Sequence, residues 1–171
     1  MVRIGEVQAS ANSGDVLVAL GLGSCVGVAL VDRVRGVAGL AHVMLPESPK
    51  SGPQLRCADA AVPALLERVL ELGARRSQLE VALVGGAQMF AGQDSITVGS
   101  RNGVATRAAL DKARLRVHAE AIGGGKGRTM RVLVGGDVEY REAGGQLQRL
   151  LPANGAATAT AVRRQPVGAR A

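Results

Sequence analysis

The chain has 171 residues, 47% of them hydrophobic, which is enough for one domain with a substantial core. Its net charge of +7 suggests a nucleic-acid partner, but three arginines lie in the acid-free stretch 152–171 and leave +4 for residues 1–151. In that larger part basic and acidic residues are interleaved, and Phe90 and Tyr140 are the only aromatic rings, which argues against nucleic-acid binding.

The amino-terminal stretch "MVRIGEVQAS" lacks the basic leader and long apolar run of a signal peptide. The longest uncharged run, residues 16–31, is shorter than the roughly 20 residues that span a bilayer, and glycines interrupt it. We therefore expect a soluble cytoplasmic protein with no membrane insertion. In that compartment Cys25 and Cys57 are expected as free thiols.

Short apolar runs between turn residues predict strands in chain order at 2–7, 16–20, 26–32, 37–45, 79–84, 115–122, 129–134 and 138–141. Between them, "CADAAVPALLERVLELG" has the apolar spacing of a helix with one buried stripe, and Gly73 ends it. A second helix is predicted to begin at Asn102, a favourable N-cap, and to run through Arg114. The pattern predicts an α+β fold, a sandwich of mixed, mostly antiparallel β-sheet flanked by two to three helices.

Residues 1–151 are predicted to form this single domain. From Pro152 onward the sequence "PANGAATATAVRRQPVGARA" has little to bury, so we predict a disordered basic tail at 152–171.

The stretch "LGLGSCVGVAL", residues 20–30, places Cys25 directly after a glycine-containing turn. Such a turn exposes backbone amides and allows close approach of a substrate. A nearby imidazole can hold a cysteine as thiolate, and His42 in "AHVMLP" ends the next predicted strand, so strand pairing can bring the two side chains together. The alternative is that Cys25 is a small buried apolar residue and His42 a structural histidine.

The remaining candidates give weaker patterns. Cys57 begins a helix but has no base near it in sequence, and His118 adjoins no glycine-rich turn, so both are interpreted as structural. The stretch "GGGKGR" lacks the Walker A spacing, which argues against a kinase or nucleotide hydrolase. No cysteine or histidine pair has zinc-ligand spacing, and the lack of a C-x-x-C motif argues against a thiol oxidoreductase.

Five motifs in order, "ALGLGSCVGVALVD", "GLAHVMLP", "GGAQMF", "VGSRN" and "GGGKGR", make residues 2–145 resemble the chemoreceptor glutamine deamidase family, CheD. The resemblance implies a cytosolic enzyme of the cysteine-hydrolase type. It would convert selected glutamines of methyl-accepting chemotaxis receptors to glutamate and release ammonia, with no metal or organic cofactor. It also implies a possible second partner, a CheC-type phosphatase.

Carried over by position, the resemblance makes Cys25 the nucleophile and His42 the general base, with backbone amides near Gly23 and Ser24 receiving the oxyanion. The family often has threonine where this chain has Ala19, and that threonine orients the histidine. Either the backbone carbonyl of Ala19 holds the imidazole instead, or the chain is a catalytically weak adaptor that binds receptors or the phosphatase.

The other motifs are assigned to substrate binding. We expect Gly85, Gly86 and Met89 to line the side of the pocket that faces the receptor. The remaining three, Arg101, Asn102 and Arg128, would bind backbone or acidic groups of the receptor helix. Turn geometry and surface solubility are the alternative explanations for these six residues.

Overall fold

The computed structural model describes residues 1–88 and 98–152. Within them lie two helices, α1 (Ala58–Glu71) and α2 (Val98–Lys112), and one short 3-10 helix at Arg76–Gln78. The strands are β1 (Val7–Ser10), β2 (Val16–Leu22), β3 (Val26–Asp32), β4 (Val37–Val43), β5 (Glu80–Gly85), β6 (Ala119–Ile122), β7 (Arg128–Leu133), β8 (Val138–Glu142) and β9 (Leu147–Leu151).

The strands form two sheets, one of five strands in the order β1-β4-β3-β5-β6 and one of four in the order β2-β7-β8-β9. Only the β5–β6 pair is parallel. One apolar core joins the two helices to the five-stranded sheet, and a second core lies between the sheets. The predicted α+β sandwich of mixed, mostly antiparallel sheet is confirmed.

The central strand β3 is buried along its whole length because both of its faces are covered. Val26, Val28 and Leu30 belong to the core under the helices, whereas Ala29 and Val31 belong to the core between the sheets. A strand covered on both sides needs apolar residues at every position rather than at alternate ones. This explains the uninterrupted apolar run that the sequence shows there.

Four elements differ from the prediction by more than two residues: β1, β6, β9 and α2. Strand β6 begins at Ala119 and not at residue 115. The segment before β1 turns instead of pairing, because the Glu6 amide donates to the Arg3 carbonyl and Gly5 has a φ of +77°. Strand β9, whose first three residues are exposed, has no apolar alternation and was not predicted. Helix α2 begins at Val98, so Asn102 lies inside it and does not cap it.

None of the helices in the described part of the chain is long and apolar enough to cross a bilayer. Of the predicted tail, only Pro152 lies within the described residues.

Candidate active site

The candidate base lies on β4, the candidate nucleophile directly precedes the adjacent strand β3, and both face the same layer of the fold. In the β3–β4 ladder His42 is paired with Gly27, and Cys25 lies two residues before Gly27. Because side chains alternate along a strand, Cys25 and His42 both point toward the second sheet, where they are diagonal neighbours. A side chain on Gly27 would collide with Leu22 and Met130, which pack over the strand at this point.

His42 is held by the segment that precedes β1. Its Nδ1 lies 3.4 Å from the carbonyl oxygen of Val2, and its main chain bonds to Gly5 and Glu6. A carbonyl oxygen only accepts, so this contact selects the tautomer with the proton on Nδ1 and leaves a lone pair on Nε2. Nε2 is buried and has no hydrogen-bond partner among the described residues. It is therefore free to act as a base.

The carbonyl at the imidazole is that of Val2 and not that of Ala19, which corrects the expectation from sequence. Ala19 lies in β2, paired with Met130 of β7, and its side chain is fully buried. Val2 reaches the ring because its own amide donates to the Val18 carbonyl at 2.7 Å, which fixes it beside β2. The backbone of a segment that sequence placed in a strand thus supplies the contact.

Burial shifts both candidate groups toward their neutral forms. It raises the pKa of the Cys25 thiol, which is only 8% exposed. It also lowers the pKa of the His42 imidazole, and the hydrogen bond to Val2 opposes this only in part. The resting site therefore favours a neutral thiol beside a neutral imidazole over the thiolate pair expected from sequence.

Hydrogen bonds from the body of the protein hold three successive carbonyls of the turn that carries Cys25. The Gly23 carbonyl accepts from the Ala87 amide at 2.7 Å, and the Cys25 carbonyl accepts from the Gly86 amide at 2.7 Å. Between them, the Ser24 carbonyl accepts from the Asn102 side chain at 2.9 Å. The hydrogen bonds to these three carbonyl oxygens therefore hold the turn in place.

The amides of the same turn differ in availability. The Gly23 amide donates to the Gly21 carbonyl at 2.8 Å, so it is not free for a substrate, contrary to the sequence-based assignment. Among the described residues, no backbone carbonyl accepts a hydrogen bond from the Ser24 or the Cys25 amide. These two N–H groups are the candidates for binding an oxyanion.

Gly85 and Gly86 support the turn instead of lining a receptor-facing surface. Both are buried at the end of β5. A Cβ on Gly85 would overlap the Cys25 carbonyl oxygen, and its φ of +115° also disfavours any side chain. Gly85 is required because β5 ends in direct contact with the backbone of Cys25, whereas a side chain on Gly86 would meet the Gly99 carbonyl instead.

Two other residues assigned to the receptor are engaged inside the protein. The Arg128 guanidinium is 8% exposed, pairs with Glu142 at 2.7 Å and donates to the Gly123 carbonyl at 2.6 Å. Asn102 is fully buried in α2 and bonds to Ser24 and Met44. Neither side chain can reach a partner without breaking these contacts.

The last two residues of this group differ in what the structure says of them. Arg101 is exposed on α2, so its receptor role stays a prediction. Met89 lies outside the described residues.

The remaining cysteine and histidine have structural environments. Cys57 is a free thiol, fully buried where α1 begins, and Cys25 is free as well, as predicted. The His118 Nδ1 accepts the Val81 amide at 3.0 Å and so ties β5 to the chain leading into β6. Sequence reasoning could not find the contact of the Val2 carbonyl with His42, because a main-chain contact leaves no signal in residue type.

A groove of about 840 Å³ lies between α1 and α2 and is lined by residues such as Leu66, Leu70 and Ala109. It opens on the helical side of the five-stranded sheet. Neither Cys25 nor His42 contributes to it, so the candidate chemistry lies elsewhere.

Comparison with known proteins finds relatives that carry the same name. The chain is 41% identical over 127 residues to a protein of Clostridium kluyveri named probable chemoreceptor glutamine deamidase CheD, covering 71% of this chain and 78% of the relative. A Clostridium botulinum strain Hall protein of the same name is 40% identical over 135 residues, covering 75% of this chain and 83% of the relative.

A family model described as CheD chemotactic sensory transduction matches residues 44–141. The match begins just beyond His42. The choice of Cys25 and His42 as candidate catalytic residues therefore rests on their sequence motifs and on the geometry described above. The extent of the match and the coverage of the relatives together show that the chain belongs to the CheD family.

Proposed function

We propose that this protein is a chemoreceptor glutamine deamidase in which Cys25 is the nucleophile and His42 the general base. The observation that carries the proposal is the placement of both side chains in one layer, diagonally across β3 and β4, with Nε2 of His42 unpartnered among the described residues. The names of the relatives supply the substrate class, glutamines of chemoreceptors, and the resemblance in sequence motifs narrows it to methyl-accepting chemotaxis receptors. We place the reaction at the cytoplasmic part of those receptors.

In the first half of the reaction, the neutral imidazole accepts the Cys25 proton at Nε2 as sulfur attacks the carboxamide carbon of the glutamine. The developing oxyanion accepts hydrogen bonds from the Ser24 and Cys25 amides. When the C–N bond breaks, the imidazolium donates its proton to the departing nitrogen, and ammonia leaves. A thioester then joins Cys25 to the receptor.

In the second half, His42 accepts a proton from water as its oxygen attacks the thioester carbon. The C–S bond breaks, the imidazolium returns the proton to sulfur, and glutamate remains on the receptor. The net reaction consumes one water and releases one ammonia. The thiol and imidazole end in their starting protonation states.

The test is incubation of the purified protein with a receptor cytoplasmic fragment, measuring ammonia release and the mass gain of about one dalton per converted glutamine. Cys25→Ala should abolish both signals, because Cys25 supplies the one thiol of this turn and a thioester cannot form without it. Cys57→Ala should retain activity, since Cys57 is buried at the start of α1. Equal losses in two well-folded variants would contradict a unique nucleophile.

A receptor-binding adaptor without catalysis is the second candidate, favoured by Ala19 in place of the family's threonine. It predicts binding of the receptor fragment with no ammonia release from the unmodified protein. A CheC-type phosphatase partner is a further prediction, and co-purification with such a phosphatase would test it.

A further inference from the structure

Asn102 contacts the chain just before β3 and just after β4, next to the two candidate catalytic residues. It lies in the second turn of α2 and is fully buried. Its Nδ2 lies 2.9 Å from the Ser24 carbonyl oxygen and 2.7 Å from the Met44 carbonyl oxygen. Carbonyl oxygens only accept, so the atom between them is the amide nitrogen, with one N–H for each.

These two acceptors lie where β3 and β4 stop pairing. The last paired residues of the ladder are Val26 and Val43, and the next position on each strand is Cys25 and Met44. The Asn102 amide joins the strands just beyond that point. It therefore couples the turn before Cys25 to the end of the strand that holds His42.

The bond to Ser24 also sets the direction of the Cys25 amide. All peptide bonds in the described residues are trans, so the C=O and N–H of the Ser24–Cys25 peptide point in opposite directions. With the carbonyl held toward α2 by Asn102, the Cys25 N–H points away from the helix. The neighbouring carbonyls of Gly23 and Cys25 are held by backbone amides, so this central peptide is the one oriented by a side chain.

Asn102 keeps this arrangement although its Oδ1 is buried without a partner among the described residues. A buried acceptor without a donor destabilises the folded state, and an apolar side chain would avoid that loss. The favourable contribution of Asn102 to the structure therefore comes from the two hydrogen bonds made by Nδ2.

We propose that Asn102 is a positioning residue that orients the Ser24–Cys25 peptide so that the Cys25 amide can bind the oxyanion. The inference rests on the proposed function, because an oxyanion forms only if Cys25 attacks a carbonyl. It replaces the receptor-binding role that sequence gave to this residue.

The test compares two reactions of Cys25 in the purified full chain. Acylation by p-nitrophenyl acetate passes through an oxyanion, whereas alkylation by iodoacetamide does not. Asn102→Asp keeps the shape but replaces the donor by an acceptor, and Asn102→Ala removes the amide. Both variants should lower the ratio of acylation to alkylation by about tenfold or more, because a misoriented donor loses part of the roughly hundredfold or larger effect of an oxyanion donor.

Thr106→Val is the matched control. Thr106 is equally buried one turn further along α2, and its hydroxyl donates to the Asn102 carbonyl at 2.7 Å without touching the Cys25 turn. Its variant should lose thermal stability but keep the ratio. All proteins are assayed below the lowest melting temperature of the set. If Asn102→Asp does not fold, the comparison is made with Asn102→Ala alone.

A ratio within about twofold of the unmodified protein in the Asn102 variants would overturn the proposal. In receptor deamidation the same variants should lower kcat while KM changes by less than about threefold, because a positioning role acts on the transition state. If the unmodified protein acylates Cys25 but leaves receptor glutamines intact, the proposed substrate fails, and the ratio still decides the role of Asn102.

Discussion

At the scale of single residues, the chemistry depends on how burial sets the protonation of Cys25 and His42. Burial raises the pKa of the thiol and lowers the pKa of the imidazole. An ion pair formed in advance would need the opposite shifts. The proton is therefore expected to move from sulfur to Nε2 during attack, as in serine hydrolases, which makes His42 a base and not a counter-ion.

The pH dependence of alkylation tests this protonation state. Because the Cys25 pKa is raised, the rate of its reaction with iodoacetamide should keep rising from about pH 6 to beyond the ordinary cysteine value of about 8.5. His42→Gln should leave the alkaline rate unchanged, since no imidazolium stabilises the thiolate. A plateau below neutral pH that His42→Gln removes would show the ion pair instead.

The lowered pKa of His42 also predicts the pH at which deamidation activity falls in acid. In the proposed mechanism His42 acts as a neutral base, and a lowered pKa keeps the imidazole neutral at lower pH. The acidic fall of kcat/KM should therefore have its midpoint below the ordinary histidine value of about 6.5. A midpoint above that value would contradict the burial argument.

Ala19→Thr tests whether the missing threonine matters. Because the Val2 carbonyl already contacts Nδ1 of His42, the added hydroxyl should change kcat/KM by less than about tenfold, or about 1.4 kcal/mol. Ala19 is fully buried, so crowding should lower the melting temperature. A thousandfold rise in activity from near background would show that the native chain is a weakened enzyme, and the adaptor function would then be favoured.

At the scale of elements, the end of β5 and the turn before β3 are built as one unit. The amides of Gly86 and Ala87 donate to the Cys25 and Gly23 carbonyls, and this requires the backbone of β5 to approach the turn closely. Gly85 permits the approach because it has no side chain. The motif "GGAQMF" thus holds the Cys25 turn through the backbone of its first residues.

Gly85→Ala is expected to displace the turn and lower deamidation by at least about tenfold, because its methyl group overlaps the Cys25 carbonyl. Gly144→Ala is the matched control. Gly144 also has a positive φ, +75°, but its added Cβ would meet open space between β8 and β9. That variant should lose some stability to backbone strain and keep its activity, so equal activity losses would disprove a specific role for Gly85.

At the scale of the whole molecule, the site lies at the contact between the two sheets. Cys25 packs in the core between them with Leu22 and Met130, which come from β2 and β7 of the second sheet. The second sheet therefore forms one wall of the site, and its last strand contributes through Leu150 and Leu151, which pack against the same core. The Leu151 carbonyl also accepts from the Arg33 guanidinium at 3.2 Å.

Shortening the chain tests where the domain ends. Ending it after Pro152 should keep the melting temperature within about 2 °C and keep deamidation, because the removed sequence has no apolar stripe to pack. Its three arginines are expected at most to speed encounter with acidic receptor surfaces, an effect that salt screens. Ending the chain after Gln146 removes β9 and should lower the melting temperature by several degrees. A comparable loss in the longer chain would show that the tail packs on the domain.

The sequence by itself determined those features that repeat along a short stretch. The apolar run of β3 and the stripe of α1 predicted both elements to within a residue or two, because burial on one or two faces imposes a local period. The glycine-flanked Cys25 and the histidine ending the next strand identified the candidate pair, and the ordered motifs identified the family.

Only the tertiary structure decided which groups complete the site. The contact of Val2 with His42, the inward amide of Asn102 and the buried Arg128 guanidinium join residues that are distant in sequence. Val2 acts through its backbone, and a polar or charged residue type does not tell whether its side chain meets solvent or a buried carbonyl. The long-range packing of the two sheets and α2 decides whether such a side chain is exposed or bonded to a buried carbonyl, and no local sequence pattern shows the outcome.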